Sequence, residues 1–343
     1  LNICLLSRYF DTNHTEGVGI GRVSEELYKQ LVKGNDYILP LASRPGGLLT
    51  YFIYSSLLIP LDLRGQKFDI YHALTPIESF WIPKNKSLVT INDLFSLINV
   101  KGMGSGLQGN TTLMKLAQFY YLKACESAVE CNKLVCISEK TKEDIIRVLR
   151  VKPEKIKVIR PGISNSLEPI ALQHKEFTIG YIGALDNRKR VQLLIKAFID
   201  SNIQGRLLIG GQGLEELKLK ELSGNSPNIV FLGYIPEDKI NNFYSLLDLL
   251  IFPTSMEGYG LPLVEAMACG VPPVVLEDSD IPLEIKDRCI IVKDLTRFLM
   301  TVEKYPNLLK EVDLKDNLKF AKTHRWEETA KEYYKLYEEI QNG

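Results

Sequence analysis

A chain of 343 residues with 42 basic and 42 acidic side chains has no basic excess to hold a nucleic acid, so none is expected as a partner. Its 45% hydrophobic content is enough for full cores, and its length suggests two domains of roughly 150 residues each. No run approaches the roughly 20 apolar residues of a membrane span, and the opening LNICLLSRYF lacks the basic start and long apolar core of a secretory signal.

Short β-rich apolar runs alternate with helical patterns along the chain. The first series predicts strands at Asn2–Ser7, Tyr37–Leu39, Ile70–His72, Leu88–Ile91, Lys133–Ile137 and Ile156–Ile159. A second predicts strands at Phe177–Ile182, Arg206–Ile209, Ile229–Leu232, Leu249–Phe252, Pro273–Leu276 and Cys289–Val292. Helical patterns between them include Gly21–Lys33, Thr112–Glu130, Glu139–Leu149, Val191–Asp200, Leu214–Leu222 and Pro262–Cys269. Such alternation means an α/β protein with parallel sheets covered on both faces. Ligands of such sheets bind at the carboxyl ends of the strands.

The segment Arg160–Lys175, with Pro161, Gly162 and Pro169 and little apolar content, is the expected break between the halves. Two Rossmann-like domains facing across a cleft follow, divided as 1–165 and 166–323, with a closing helix in 324–343. Trp326, Tyr333, Tyr334 and Tyr337 stand at helical spacing there and read as packing residues. The apolar stretch Leu48–Leu63, interrupted by Pro60, reads as a buried core helix. A helix docking on a membrane or a lipid acceptor is the alternative. Six cysteines without a C-x-x-C pair suit reduced, buried thiols and a cytoplasmic protein.

The most informative stretch is Pro253–Pro272, PTSMEGYGLPLVEAMACGVP. Pro262 suits the first position of a helix, so the turn Gly258-Tyr259-Gly260-Leu261 aims backbone N–H groups at an anion from a positive helix end. Glu257 lies in the loop and Glu265 one turn into the helix. A carboxylate has no reason to approach a phosphate, but it accepts hydrogen bonds from sugar hydroxyls. Phosphate donors between two such acceptors describe a nucleotide-sugar site; a solvated acidic loop is the plain alternative.

This segment resembles the Glu-x7-Glu signature of the retaining glycosyltransferases of family 4, EGFGLPxxEAMAxGxPV, departing from it by Tyr259 and by the extra Pro273. The resemblance implies the GT-B fold, with residues 1–165 as the acceptor side, 166–323 binding the nucleotide sugar, and the last helix packing back on the first domain. It implies that Glu257 holds hydroxyls of the transferred sugar, beside the turn Gly258–Leu261, and that Glu265 holds the ribose.

Other elements are read beside that resemblance. In EGVGIGR, Gly17, Gly19 and Gly21 precede the helix around Val23–Lys33. By residues alone this G-x-G-x-G is a tight turn as readily as a binding loop; the resemblance makes it the loop over the donor's pyrophosphate and sugar. GALDNRKR resembles the family element GxLxxRKN. It begins at Gly183 and implies that Arg188 and Lys189 bind the leaving phosphates, with Arg190 a solvated neighbour. The glycines of LLIGGQG include Gly211, at the position of the family's GxG. Tyr234 and Ile235, by the same resemblance, sit where backbone groups meet the base, although Tyr234 also reads as an exposed loop aromatic.

His72, in DIYHALTP, matches a family histidine at the cleft and equally suits a structural role. Asn92 and Asp93 stand where many relatives carry a His-Asp pair on the acceptor side; asparagine hydrogen-bonds a hydroxyl but takes up no proton near neutral pH. Asp278-Ser279-Asp280 is a D-x-D, a metal motif in a different fold. Here it reads as a loop, and neither an essential metal nor another cofactor is expected. The leading reading is therefore a retaining, metal-independent transfer of a hexose from a nucleotide-diphosphate sugar (GDP-mannose or UDP-glucose type). The acceptor is a glycan, a lipid-linked molecule or a small molecule, and peripheral contact with the cytoplasmic face of a membrane fits the lipid-linked case. The alternatives are an epimerase or phosphorylase on the same fold, and a catalytically silent relative that binds nucleotide sugar or glycan.

Overall fold

The structure, a computed structural model, describes residues 1–7, 18–33, 37–42, 59–98, 112–170, 176–224, 226–304, 309 and 313–342. They form two compact units. The first holds the described residues up to Gly162 together with the helix Trp326–Asn342, and the second runs from Ile163 to Arg325.

In the first unit, β1 (Asn2–Ser7), β2 (Tyr37–Ala42), β3 (Ile70–Ala73), β4 (Ser87–Ile91), β5 (Lys133–Cys136) and β6 (Ile156–Val158) line up in the order β2-β1-β3-β4-β5-β6. Every pairing is parallel. Successive side chains of a strand point to opposite faces, and here both faces are buried. Ile3, Leu5, Ile70, Leu88 and Val135 join Leu27 and Leu31 of the helix Val18–Val32 in one core. Cys4, Leu6, Tyr71, Val89, Leu134 and Cys136 join Cys125 and Ala128 of Thr112–Glu130 in the other. Each such Leu or Ile contributes about 1.5–3 kcal/mol when fully buried, which explains why these strands are apolar over most of their length. The six cysteines are free and buried, and burial pushes the thiols of Cys4, Cys125, Cys136 and Cys269 up to about 12. They serve as small apolar groups.

The glycines of EGVGIGR fall differently from expectation. The helix starts at Val18, so Gly19 and Gly21 lie inside its first turns, not in a loop before Val23; Gly17 is outside the described residues. Ser24 anchors this end, its hydroxyl 3.0 Å from Ser7 Oγ at the end of β1 and 2.9 Å from the Ile20 carbonyl that it bonds. Gly21 is buried. Of the apolar stretch Leu48–Leu63, residues 48–58 lie outside the described part. The end that is described, the helix Ile59–Asp62, buries Ile59 and exposes Leu61. Among the described residues, no helix is long and apolar enough to cross a membrane.

The closing helix packs by its spacing. Ala330, Tyr333, Leu336, Tyr337 and Ile340 enter the same core as β1 and Val18–Val32. Burying tyrosines requires partners for their hydroxyls, and His72 of β3 and Thr90 of β4 supply them for Tyr337 and Tyr333. Its Nδ1 lies 2.7 Å from Tyr337 Oη and its Nε2 2.8 Å from Thr90 Oγ1, which is 3.2 Å from Tyr333 Oη. Tyr334 Oη bonds the Leu31 carbonyl. The acceptor-side expectation for His72 is thereby corrected: the ring is wholly buried and both nitrogens are engaged in docking the last helix.

Burial lowers the His72 pKa from its ordinary value to about 3. The unfolded chain binds a proton at this position below about pH 6.5 while the native state does not, so stability falls as pH drops through that window. His72 alone should cost about 2 kcal/mol between pH 7 and pH 5. Urea titrations of wild type and His72→Gln at both pH values test this. The loss should be smaller by that amount in the variant, and equal losses in the two proteins overturn the assignment.

The second unit has β7 (Thr178–Ile182), β8 (Arg206–Gly210), β9 (Ile229–Gly233), β10 (Leu249–Ile251), β11 (Pro273–Leu276) and β12 (Ile290–Val292), in the order β12-β11-β10-β7-β8-β9. All pairings are again parallel. Counted from β7, this is the Rossmann strand order, and its topological switch point lies between β7 and β10. The unit closes on itself: Ile163 pairs with Arg325, and Ile163 N–H donates to the His324 carbonyl at 2.8 Å.

Candidate functional site

At a switch point the connections leaving the two central strands run in opposite directions and open a crevice at their carboxyl ends. The loop after β7 carries Gly183 to Arg190, and the loop after β10 carries Phe252 to Gly260. Both candidate segments of the sequence thus arrive at one place.

The first loop is a single tight turn. Asp186 caps it, its Oδ1 accepting from Lys189 N–H at 3.0 Å, and Asn187–Lys189 form one 3-10 turn directly before the helix Val191–Ser201. Arg188 and Lys189 are held there with little freedom. The second loop is tied to the first: Ser255 donates to the Arg188 carbonyl through its N–H at 2.8 Å and its hydroxyl at 3.0 Å.

The charged side chains meet on a single oxygen. Glu257 Oε1 accepts from Lys189 Nζ at 2.6 Å, Arg188 Nη1 at 2.8 Å and Thr254 Oγ1 at 2.6 Å. Arg188 Nη1 also donates to the Met256 carbonyl at 2.7 Å, and Lys189 Nζ stands 4.6 Å over the Phe252 ring. Burial by itself raises the Glu257 pKa, but Lys189 and Arg188 outweigh it and hold the carboxyl below its usual range. Burial draws Lys189 below the usual lysine range, with Glu257 opposing. The side chains of Lys189, Glu257 and Arg188 are 8%, 12% and 24% exposed, so the cluster meets solvent mainly through the guanidinium. An incoming anion would compete with Glu257 for Arg188 and Lys189.

Glycines bring the backbones together around this cluster. Gly211 has φ +118°, and a Cβ on it would stand 1.8 Å from the Gly183 carbonyl oxygen. Only glycine fits where the β7 and β8 turns touch. Gly260 has φ +106° and caps the helix Leu261–Ala268, with Pro262 in its first turn. The Leu263 and Val264 amides already donate to the Gly260 carbonyl. Tyr259, expected on the donor sugar, is 3% exposed and packs 6.0 Å from the His324 ring; its side chain is structural, and Gly258 and Leu261 are the more open parts of the turn.

Glu265 is 1% exposed and accepts from Tyr244 Oη at 2.9 Å. Tyr234 and Ile235 are half-buried beyond β9; Ile235 covers Gly210, whose Cβ would come within 2.5 Å of it. The remaining candidates belong to the first unit. Asn92 is buried, its Nδ2 donating to the Leu74 carbonyl at 3.3 Å, and Asp93 Oδ1 accepts from Phe95 N–H at 3.2 Å.

Arg190 was expected to be a solvated neighbour and is not. Its Nε donates to the Pro253 carbonyl at 2.7 Å, its Nη2 to the Thr254 carbonyl at 2.8 Å, and its fork takes both carboxylate oxygens of Asp278 at 2.7 and 2.9 Å. That pairing holds Asp278 below its usual carboxylate range, the bonds from Arg190 outweighing burial. It also gives the D-x-D carboxylate an organic cation for a partner. Among the described residues, no three His, Cys, Asp or Glu side chains are placed to share a metal ion. The partners of Arg190 lie more than 60 positions away in sequence, beyond the reach of any local pattern. One signal was present: an arginine where the resembled element has asparagine.

A family model described as Glycosyltransferase Family 4 matches residues 19–167, and one described as Glycosyl transferases group 1 matches residues 163–332. An uncharacterized glycosyltransferase of Methanocaldococcus jannaschii is 29% identical over 168 residues, covering 43% of each chain. The O-antigen chain mannosyltransferase B of Escherichia coli is 24% identical over 193 residues, half of each. The chain thus matches about half the length of these curated relatives. Among solved structures, a sucrose-phosphate synthase from Thermosynechococcus elongatus superposes with a TM-score of 0.80 at 17% identity, covering 99% of this chain and 98% of the other. HepE of Anabaena, in complex with UDP and glucose, superposes at 0.70 with 16% identity, covering 98% of this chain and 99% of the other. At such identities the likeness speaks for the fold, which is GT-B. With family models in tandem over residues 19–332 and the Glu-x7-Glu segment at the switch point of the second sheet, the chain belongs to the family-4 type of glycosyltransferases.

Proposed function

We propose that this protein transfers a hexose, with retention and without a metal, from a nucleotide-diphosphate sugar to a hydroxyl of a glycan, lipid-linked or small-molecule acceptor. The observation that carries the reading is the convergence of Arg188 and Lys189 on the Glu257 carboxylate at 2.8 and 2.6 Å, beside a glycine-capped helix start. The donor's diphosphate draws the two cations from Glu257 and is stabilised as charge builds on it, an electrostatic contribution. Glu257, released from them, accepts from hydroxyls of the transferred sugar. The acceptor oxygen bonds to the anomeric carbon as the bond to the diphosphate breaks, and the acceptor's proton passes to the leaving phosphate oxygen on the same face. Gly183, Gly211 and the Gly258–Leu261 turn border the phosphates and sugar, the backbone of Tyr234 and Ile235 meets the base, and Asn92 and Asp93 belong to the acceptor side. A relative described as a mannosyltransferase and a fold neighbour solved with UDP-glucose support GDP-mannose and UDP-glucose as the donors to try first.

Glu265 has two readings. By the family pattern it holds the ribose hydroxyls. Its 1% exposure and its bond to Tyr244 favour a second one, in which it fastens the helix Leu261–Ala268 to Tyr244.

The experiment is turnover of labelled GDP-mannose and UDP-glucose with a mixed acceptor extract, with and without excess EDTA. Transfer from one donor should persist in EDTA, and an α-linked donor should give an α-linked product by its NMR coupling constant. Complete loss restored by Mn²⁺ or Mg²⁺, or a β-linked product, overturns the corresponding part of the proposal. Binding of donor without any turnover would point to the silent relative.

A further inference from the structure

Arginine at position 190 is an unusual choice for its backbone. With φ +53° the residue is left-handed, a conformation that Gly, Asn or Asp adopts with less strain. The side chain offers a reason for keeping it. Its three nitrogens reach two loops at once: the Pro253 and Thr254 carbonyls on one, and Asp278, in a bidentate pair, on the other. Ser279 Oγ donates to the same Thr254 carbonyl at 2.6 Å. The Thr254 backbone is therefore fixed from two sides. The Thr254 hydroxyl in turn donates to Glu257 Oε1 at 2.6 Å, and Glu257 N–H donates to the Asp280 carbonyl at 3.0 Å. A lysine, with one point charge, cannot span these acceptors as the planar fork does.

We propose that Arg190 and Asp278 form a positioning clamp that sets the Glu257 carboxylate through Thr254, and so governs the rate of sugar transfer and not the affinity for donor. The proposal rests on the transferase reading of the same site. Arg190 touches no reacting atom; it acts on the loop that carries Glu257. A carboxylate displaced by about 1 Å loses on the order of a hundredfold in rate, while the nucleotide, on the proposed reading, is held at Tyr234, Ile235 and Glu265, which Arg190 does not bond.

The test is steady-state kinetics of Arg190→Ala, Arg190→Lys and Asp278→Asn, each kcat divided by the binding-competent fraction from calorimetry with UDP or GDP. That division removes any unfolded protein from the comparison. Arg190→Ala should lower kcat about 10- to 100-fold with donor KM within about twofold of wild type. Arg190→Lys should recover part of the loss, and Asp278→Asn should lose less. In a Glu257→Gln background, Arg190→Ala should add less than about threefold, because the group it positions is already gone. An unchanged kcat, a loss confined to KM, or full additivity in the double variant overturns the clamp. Wild-type turnover, measured first, separates the two claims: a wild type inert with every donor overturns the transferase reading and the clamp with it. An active wild type with a fully active Arg190→Ala overturns the clamp alone.

Discussion

Replacing Glu257 by Gln is expected to lower kcat by about two to four orders of magnitude, through a loss of roughly 3–5 kcal/mol of transition-state stabilisation. On the proposed reading the carboxylate lies between the two cations and the transferred sugar, so the change acts beside the bond being broken. Its effect on binding should have the opposite sign. In the free protein Glu257 occupies Lys189 and Arg188 and competes with any phosphate for them. The Gln variant removes that competitor and should bind bare UDP or GDP as tightly as wild type, or tighter. Folding pays for the change: Lys189 loses a counter-charge, although the amide oxygen still accepts a bond. Stability should fall by about 2 kcal/mol, seen as a lower urea midpoint. Kinetics, calorimetry and unfolding on the one variant give three independent readings. A kcat within about tenfold of wild type, or lost diphosphate binding, places Glu257 outside the role given to it.

The fold and the site were legible in the sequence to different depths. Strands buried on both faces are continuous apolar runs, so β1 and β11 could be bounded at Asn2–Ser7 and Pro273–Leu276 from composition alone. The Glu-x7-Glu segment is local, with a proline and glycines at defined positions, and it located the loop after β10. What sequence could not supply was partnership across strands. Arg190 and Asp278 are 88 positions apart, and nothing near either marks the other. His72 shows the converse error. Its likeness to a family histidine suggested the acceptor side beside a structural role, but its environment is set by Tyr337, 265 residues away. Gly19 and Gly21 failed for a third reason. Glycine's low helix propensity costs only about 1 kcal/mol, and a helix anchored to β1 by Ser24 on Ser7 overrides it.

The two glutamates should part company when the ligand lacks its sugar. Glu265→Gln is expected to raise donor KM more than it lowers kcat, because contacts to the ribose act alike in ground state and transition state. Hydrogen bonds to a charged acceptor are worth about 1.5–3 kcal/mol each, so binding of bare UDP or GDP should weaken about 10- to 100-fold. Calorimetry of the two variants with the bare diphosphate therefore separates their roles, since Glu257→Gln should retain binding. The burial of Glu265 adds a structural alternative. If its carboxylate serves only to hold Tyr244, at 2.9 Å, then Tyr244→Phe should weaken the diphosphate as much as Glu265→Gln does. Deoxy ligands decide between the two. Where Glu265 accepts from the ribose, removing the 2′- or 3′-hydroxyl should cost wild type about tenfold and Glu265→Gln far less, because the lost hydroxyl has no charged acceptor left to miss. Equal costs in both proteins would assign Glu265 to the helix and leave the ribose to another group. Lost diphosphate binding in Glu257→Gln beside intact binding in Glu265→Gln would reverse the two roles.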